Sequence, residues 1–289
     1  MLVIYNPAAG PRRRRRLERA LALLPGAALA ETRAPGHATE LARAAAPGGS
    51  VVVAAGGDGT IAEVAAGLDG SGATLGVLPL GTANVLALEL GLPLRPELAA
   101  DAIRRGRDLR LWPGLARGPD GRPRRLFVQM LGAGLDAEVV RRLDPRLKRA
   151  VGRGAYVWGT LRELPRYGYP ALEVALDDDP PRAATSVVVT KGRLYAGRFL
   201  LAPGATPLAP GFHVALIGGG IARAALAGGL LPLDLLPRLL PGLKLRRASR
   251  VALRAPCGAS VPVQADGDPA GHLPLVVEDA AAPLRVRVP

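Results

Sequence analysis

The residues with the clearest capacity for chemistry are Gly56-Gly57-Asp58-Gly59-Thr60, between an apolar run at 51–55 and a helically spaced segment at 61–68. Glycines at a strand–helix turn let backbone N–H groups approach a phosphate, and the helix start adds favourable partial charge. The stretch has neither the Lys-Ser/Thr pair of a P-loop nor the G-x-G-x-x-G spacing. An acid beside phosphates indicates a bridging Mg²⁺ or an oriented nucleophile. The alternative is a tight turn in which Asp58 caps the helix.

Two further polar loops follow apolar runs. Asn6-Pro7-Ala8-Ala9-Gly10 comes after the run at 2–5, and Pro79-Leu80-Gly81-Thr82-Ala83-Asn84 comes after the run at 75–78. In an open α/β sheet, ligands bind beyond the carboxyl ends of the strands. We therefore expect polar side chains of the three loops to converge on a nucleotide: Asn6, Thr60, Thr82 and Asn84.

The elements that position these loops alternate between strand and helix. Short apolar runs typical of buried parallel strands alternate with segments in which apolar residues recur at helical spacing. This order predicts a doubly wound, Rossmann-like α/β domain. The predicted strands are 2–5, 51–55 and 75–78, and the predicted helices are 11–24, 38–46, 61–68, 83–90 and 97–105.

The sequence changes character near residue 110. Short β-type runs separated by turn residues predict a β-rich second domain. Helices are predicted only at 136–143 and 154–165, and 284–288 alternates as a last strand. The other predicted strands are 126–131, 172–176, 186–190, 199–202, 213–217, 251–254 and 261–264.

Composition narrows the class of protein. With 49% hydrophobic residues the chain is not disordered throughout, and its single cysteine, Cys257, excludes a disulfide framework. No secretory signal or membrane-spanning helix is predicted, so we expect a cytoplasmic protein with at most surface contact to a membrane.

The net charge of +14 is concentrated in one region, because residues 104–166 hold 16 basic and 6 acidic side chains. Such a field favours an anionic partner, whether phosphate, acidic lipid or nucleic acid. The leucine-rich segment 226–243 is either a cover of short helical turns or an apolar lip that dips into a membrane. Only 3% of residues are aromatic, too few for a nucleic-acid stacking surface.

Three motifs together resemble one known family. N-P-x-x-G at 6–10, G-G-D-G-T-x-x-E-V at 56–64 and P-L-G-T-x-N at 79–84 are similar to the catalytic domain of the diacylglycerol kinase and sphingosine kinase family, and above all to its soluble bacterial lipid kinases. The likeness continues through 132–137, 197–203 and 264–268, and so spans nearly the whole chain.

The resemblance implies a nucleotide-binding domain at 1–112, joined by a returning strand at 284–289, and a lipid-binding β-sandwich domain at 113–283. It implies an ATP-dependent lipid kinase that phosphorylates a hydroxyl of a diacylglycerol-like lipid. ATP with Mg²⁺ is the expected cofactor set, and an anionic membrane surface at the inner face is the expected partner, with no nucleic acid.

The resemblance also assigns residues. Asp268 accepts the proton of the lipid hydroxyl, Asp266 steadies it, and Asp58 organises the metal and water network at the γ-phosphate. The predicted nucleotide site consists of Asn6, Pro7, Gly10, Thr32, Gly56, Gly57, Asp58, Gly59, Thr60, Glu63, Gly81, Thr82 and Asn84.

Two departures from the family pattern bear on this assignment. The family ends the motif at 266–268 with Asp-Gly-Glu, whereas here the last residue is Asp268, one methylene shorter. Bacterial relatives also carry an acidic turn that holds a structural Mg²⁺, whereas this chain reads Ala209-Pro210-Gly211. We therefore predict that the structural metal is absent, while the Mg²⁺ that accompanies ATP is still expected.

Two other functions stay open. The first is a catalytically weak or inactive protein that binds lipid or nucleotide, which the change at Asp268 allows. The second is a kinase of a soluble substrate, such as an NAD kinase or a phosphofructokinase, since these share the G-G-D-G loop. The sequence does not name the lipid or the oligomeric state.

Overall fold

The computed structural model describes most of the chain, which divides into two compact units. The first unit is Met1–Pro113 with Pro207–Ala209 and Ala280–Pro289, and the second is Gly114–Thr206 with Pro210–Asp279. The described residues are 1–7, 11–143, 154–220, 225 and 243–289.

The first unit contains a six-stranded sheet in the order β2-β1-β3-β4-β20-β5. Strands β1 to β4 are parallel, β20 is parallel to β4, and β5 is antiparallel to β20. The strands are β1 Leu2–Tyr5, β2 Ala28–Glu31, β3 Val51–Gly56, β4 Thr74–Pro79, β5 Arg107–Leu111 and β20 Leu284–Val288. The helices are α1 Pro11–Leu21, α2 His37–Ala45, α3 Asp58–Leu68, α4 Val85–Glu89 and α5 Pro96–Arg105.

Apolar burial fixes this sheet. The central strands β3 and β4 are buried along nearly their whole length, as expected for strands covered on both faces. One face packs against α1 and α5 in a shared core. Residues of that core from the sheet and the two helices include Val3, Tyr5, Val53, Leu78, Leu17, Ala20 and Ile103.

The second unit contains two six-stranded antiparallel sheets. Their orders are β10-β9-β16-β19-β6-β7 and β15-β14-β11-β8-β17-β18. The strands are β6 Gly114–Arg117, β7 Pro123–Phe127, β8 Met130–Ala133, β9 Leu172–Leu176, β10 Arg182–Ala184, β11 Ser186–Thr190, β14 Phe212–Ile217, β15 Lys244–Ala248, β16 Arg250–Arg254, β17 Pro262–Ala265, β18 Asp268–His272 and β19 Leu275–Asp279.

A short hairpin and two helices complete the described part of this unit. The hairpin pairs β12 Leu194–Tyr195 with β13 Phe199–Leu200, and the helices are α6 Leu135–Arg142 and α7 Gly154–Glu163. Inward-facing side chains of both large sheets form one core, including Phe127, Leu131, Val174, Val189, Val214, Val251 and Val277.

The predicted fold class is confirmed: a doubly wound α/β unit accompanies a β-sandwich unit. The sequence analysis did not predict two strands of the first unit, β2 and β5. In the described residues no helix is long and apolar enough to cross a membrane. The leucine-rich segment 226–243 lies, apart from Leu243, outside the described residues. Gly10 of the predicted nucleotide site lies outside them as well.

Candidate functional site

The predicted loops of the first unit follow one edge of the parallel sheet. Strands β1 to β4 run in the same direction and end at Tyr5, Glu31, Gly56 and Pro79. The chain leaves β1 toward β2 and leaves β3 toward β4, on opposite sides, so the strand order reverses between β1 and β3. This switch point is where doubly wound sheets bind ligands.

Two of the glycine loops touch through their backbones. The amide of Leu80 donates to the carbonyl of Gly56 at 2.9 Å. A Cβ placed on Gly81 would lie 2.5 Å from the Cα of Gly57, and one on Gly57 would lie 3.3 Å from the Cα of Gly81. Any side chain at Gly81 would therefore separate the loops, which explains the residue type and leaves the backbone open to a ligand.

Asp58 joins the same two loops by its carboxylate. It is the first residue of α3, and its Oδ1 accepts a hydrogen bond from the amide of Leu86 at 3.4 Å. Burial raises the pKa of Asp58, while the amides of Leu86, Val85 and Asn84 act in the opposite direction. The carboxylate of Asp58 thus accepts backbone amides at the start of α4, and these hydrogen bonds give it a positioning role.

Asn84 brings a free acceptor to this junction. It adopts a left-handed backbone conformation with φ of 50°, and its Nδ2 donates to the carbonyl of Gly81 at 2.9 Å. Its Oδ1 is buried and has no hydrogen-bond partner among the described residues. A buried acceptor without a partner costs free energy, so a donor from a bound molecule would stabilise it. The ribose hydroxyls and adenine amino group of ATP are such donors.

The two threonines differ in their surroundings. Thr60 is buried and packs against the turn. Its Oγ1 would lie only 2.4 Å from a Cβ placed on Gly56, so the turn needs a glycine there. Thr82 is exposed, and its Oγ1 accepts a hydrogen bond from Nη2 of Arg13 at 3.0 Å. Arg13 therefore brings a guanidinium to the third loop, a donor geometry that suits phosphate oxygens.

Glu63 supports the loop before α2. Its two carboxylate oxygens accept the amides of Gly36 at 3.0 Å and Ala38 at 3.2 Å, and its carbonyl accepts the hydroxyl of Thr39. The amide of Thr32 donates to the carbonyl of Tyr5 at 2.8 Å, at the start of the same loop. The nucleotide contacts predicted for Glu63 and Thr32 stay predictions; the observed contacts of Glu63 hold the loop's shape.

The acidic motif of the second unit contains two different aspartates. Asp266 has φ of 51°, and its carboxylate accepts the amides of Val128, Gln129 and Met130 at 2.8–3.0 Å. It therefore fixes the connection between β7 and β8. Asp268, the first residue of β18, is partly exposed and lies 3.7 Å from Nη2 of Arg125. The carboxylate of Asp266 is thus engaged by three amides, whereas that of Asp268 faces an arginine side chain.

A network that the sequence analysis did not assign to the site supports this motif. Gln264 accepts the amide of Gly267 on its Oε1 at 2.9 Å and donates from Nε2 to Oδ2 of Asp136 at 3.1 Å. A Cβ on Gly132 would lie 2.2 Å from that carboxylate oxygen, so a glycine is required there. Burial raises the pKa of Asp136 to about 6, against hydrogen bonds from Gln264, Ala137 and others. Asp136 and Gln264 thus position the turn that carries Asp268.

No group of three His, Cys, Asp or Glu side chains suitable for a metal occurs within the described ranges. Magnesium in nucleotide sites commonly keeps several waters and binds through one or two carboxylates and the phosphates. Asp58, the first residue of α3, would be the carboxylate that the G-G-D-G loop offers to such a Mg²⁺.

Two family models match this chain. The model of the diacylglycerol kinase catalytic domain matches residues 1–112. The model of the YegS C-terminal NAD kinase beta sandwich-like domain matches residues 129–288, more than half of the chain. The chain belongs to the family of diacylglycerol kinase catalytic-domain proteins with a YegS-type second domain. The resemblance stated from the motifs is confirmed.

Some of the relatives carry kinase names, and one does not. A diacylglycerol kinase of Mycobacterium tuberculosis H37Rv is 29% identical over 259 residues, which are 86% of this chain and 80% of that protein. An uncharacterised protein of Synechocystis is 29% identical over 141 residues, 49% of this chain. The chain spans only 31% of the length of the Synechocystis protein and 38% of that of a relative from Serratia proteamaculans.

A solved structure shares the fold. The crystal structure of a diacylglycerol kinase from Bacillus anthracis str. Sterne has a TM-score of 0.76 and 21% identity. The structural match extends over all of this chain and over 96% of the Bacillus anthracis chain. At this identity the likeness shows the fold of both units.

Proposed function

We propose that this protein is an ATP-dependent lipid kinase that transfers the γ-phosphoryl group of ATP to a hydroxyl of a diacylglycerol-like lipid. The observation that carries the proposal is the junction of the two glycine loops, where Asp58 receives the amides at the start of α4. Membership of the lipid kinase family supports it further. The loops, in which Gly57, Gly59 and Gly81 are half-buried, lie at the switch point of the sheet, where a nucleoside triphosphate is expected.

The first unit binds and orients the nucleotide in this proposal. The backbone of Gly57 and Gly81 approaches the phosphates, since both positions lack a Cβ. The guanidinium of Arg13 adds positive charge beside Thr82, and Oδ1 of Asn84 accepts a donor from the nucleoside. Mg²⁺ bound with ATP neutralises charge on the phosphate oxygens.

The second unit supplies the base. Asp268 takes the proton of the lipid hydroxyl, the hydroxyl oxygen forms a bond to the γ-phosphorus, and the bond from that phosphorus to the oxygen of ADP breaks. Asp266 anchors the turn to the amides of residues 128–130, and Gln264 accepts the amide of Gly267, so that the carboxylate of Asp268 is presented from a fixed backbone. Asp268 is a carboxylate of the kind a general base requires, one methylene shorter than in the family pattern.

We place the substrate at an anionic membrane surface on the cytoplasmic side. Positive charge supports this location, since residues 104–166 are strongly basic. In the described part of that region, Trp158 and Leu161 on α7 are 59% and 64% exposed, and Arg162 lies beside them. Apolar side chains next to arginine suit an interface of acyl chains and acidic headgroups.

The test measures phosphoryl transfer from labelled ATP to a panel of lipids in vesicles, with NAD as a soluble acceptor because the second family model is described as NAD kinase-like. Wild type is compared with Asp58→Asn, which keeps the shape of the side chain and removes its charge. We expect transfer to a lipid by wild type and a roughly 100-fold loss in Asp58→Asn, because displaced loops misplace the phosphates.

The matched control is Asp69→Asn, at the exposed opposite end of the same helix, which should transfer phosphate at the wild-type rate. Thermal unfolding of both variants separates a local effect from loss of the fold. Equal yields of labelled lipid from wild type and Asp58→Asn would contradict the proposed role of the loop, and transfer to NAD alone would contradict the lipid substrate.

A further inference from the structure

The side chain of Lys191 is an unusual feature of the second unit. It follows β11, is fully buried, and is the only buried Lys, Arg or His in the described ranges. A buried ammonium without compensation is strongly unfavourable, so its partners must be specific. The proposed kinase chemistry does not use this residue.

The groups that contact the ammonium include two oxygens and one aromatic ring. Nζ of Lys191 donates to Oδ1 of Asp279 at 2.6 Å and to the carbonyl of Gly211 at 2.8 Å. It lies 4.6 Å from the ring centroid of Phe212, whose face attracts a cation. The second carboxylate oxygen of Asp279 accepts the amide of Gly211 at 2.6 Å. The ammonium therefore ties the end of β19 to the turn that precedes β14.

That turn is the one for which the family resemblance implies a structural Mg²⁺. Its residues here, Ala209-Pro210-Gly211, have no side-chain oxygen. The neighbouring carboxylate, Asp279, has one oxygen engaged by Lys191 and the other by an amide. A divalent cation would meet a single carboxylate already neutralised by a lysine. The residues present do not fit the metal.

We propose that the ε-ammonium of Lys191 is a built-in cation that replaces the structural divalent metal of this turn. One positive charge balances one carboxylate, and the ammonium's donors meet the oxygens that face it. Burial lowers the pKa of Lys191, while Asp279 acts in the opposite direction and favours the charged form.

The residue type supports this assignment. The chain contains 38 basic residues, of which 35 are Arg and only 3 are Lys. Among the described residues, the one buried basic side chain is nevertheless a lysine. An ammonium is closer to a simple ion in size and shape than the planar guanidinium of Arg. A composition that strongly favours Arg therefore does not account for Lys191.

The first experiment uses the full wild-type chain without nucleotide. Its melting temperature is measured with excess MgCl₂ and with excess EDTA at matched ionic strength. We expect the same Tm in both, because the cation of the turn is covalently part of the chain. A Tm that falls in EDTA and recovers on addition of Mg²⁺ would overturn the proposal. These readouts report stability, so they stand apart from the proposed kinase activity.

The second experiment removes the ammonium. Lys191→Met keeps the apolar stem and leaves Asp279 without its partner, so Tm should fall by on the order of 10 °C. The matched control is Lys244→Met on β15, an exposed lysine, which should melt at the wild-type temperature. Equal melting temperatures for wild type and Lys191→Met would contradict the proposal.

A rescue experiment covers the case in which the lysine variant folds poorly. Lys191→Ala is refolded with ethylammonium chloride or with sodium chloride at equal concentration, and the folded fraction is measured by circular dichroism. Ethylammonium should restore folding of Lys191→Ala more than sodium does, since it returns an ammonium to the vacated space. Equal effects of the two salts would count against an ammonium-specific site.

Discussion

Asp268 and Asp266 are separated by one glycine, yet their surroundings assign them different tasks. The carboxylate of Asp266 accepts hydrogen bonds from three backbone amides, those of Val128, Gln129 and Met130. Asp268 is partly exposed, with Arg125 as an ion-pair partner at 3.7 Å. The predicted mechanism gives Asp268 the role of the base and Asp266 the role of steadying it, and both roles stay predictions. In our proposal Asp268 touches the substrate, and Asp266 positions the turn.

The role of Asp268 predicts a clear split between its variants. Asp268→Asn removes the base and should lower kcat by about 100-fold to 10,000-fold, while Asp268→Glu keeps a carboxylate and should retain at least about a tenth of the activity. Lipid phosphorylation at saturating ATP is the measurement. Asp178→Asn, an exposed aspartate in another turn of the same unit, is the control. Equal activity of Asp268→Asn and wild type would remove Asp268 from the mechanism.

Asp136 predicts a pH-dependent stability. Its folded pKa of about 6 lies above the ordinary value of 3.8, so the folded state binds more protons than the unfolded state between these values. The free energy of unfolding therefore decreases as pH rises through this window. Above it, the buried carboxylate of Asp136 is ionised and destabilises the folded state to the full extent. Asp136→Asn removes the charge and should stabilise the protein by on the order of 2–3 kcal/mol near pH 8 and by about 1 kcal/mol or less near pH 4.5.

Urea denaturation of wild type and Asp136→Asn at the two pH values measures this difference. Asp120→Asn, in the exposed turn before β7, is the surface control for the same substitution. A stabilisation of Asp136→Asn that is the same at both pH values would show that Asp136 does not titrate in this window.

At the scale of elements, the two glycine loops of the proposed nucleotide site come close to each other. Gly81 has the backbone of Gly57 where its Cβ would be, at 2.5 Å. Gly81→Ala should therefore push the loops apart, cost about 1–3 kcal/mol of stability, and weaken ATP binding by at least about tenfold. Calorimetric titration with ATP measures the affinity.

Gly168→Ala is the control for this substitution. Gly168 has open space around its Cα and no left-handed backbone conformation, so alanine there should leave ATP binding unchanged. If Gly81→Ala binds ATP as tightly as wild type, the loops do not form the phosphate site.

The elements that sequence reasoning recovers are those with buried, regular patterns. The apolar run at 51–55 predicted β3, and the helical spacing at 61–68 predicted α3, because both are buried in the unit. The strands β2 and β5 were missed. Most of their residues are exposed or half-buried at the two edges of the sheet, so their sequences carry little apolar signal.

The candidate site likewise contains residues with a local sequence signal and residues that only the fold brings together. The glycines and Asp58 were predicted because their spacing is itself a signature. Gln264 and Asp136 were not assigned to the site, because a contact between residues 128 positions apart has no local signal. Lys191 likewise follows an ordinary strand, and only the fold brings Gly211 and Asp279 to it.

At the scale of the whole molecule, the basic region and the exposed apolar residues of α7 predict attachment to anionic membranes. Leu161→Ala should weaken binding to anionic vesicles by about threefold to tenfold, because less apolar area enters the interface. Binding should also weaken as salt is raised, since headgroup attraction is screened. Sedimentation with vesicles measures both effects.

The matched control is Leu98→Ala on α5, a leucine that is 50% exposed in the first unit. It should bind vesicles as wild type does. Equal loss of binding in the two variants, or equal binding of neutral and anionic vesicles, would contradict the assignment of this surface.

The central claim is that this chain transfers phosphate from ATP to a lipid hydroxyl. Its most direct test is mass spectrometry of the lipids after the full chain is incubated with ATP, Mg²⁺ and anionic vesicles that contain diacylglycerol. The account predicts a lipid that has gained one phosphate, formed only when ATP is present. No phosphorylated lipid from any member of the panel, with the protein folded and ATP bound, would contradict it.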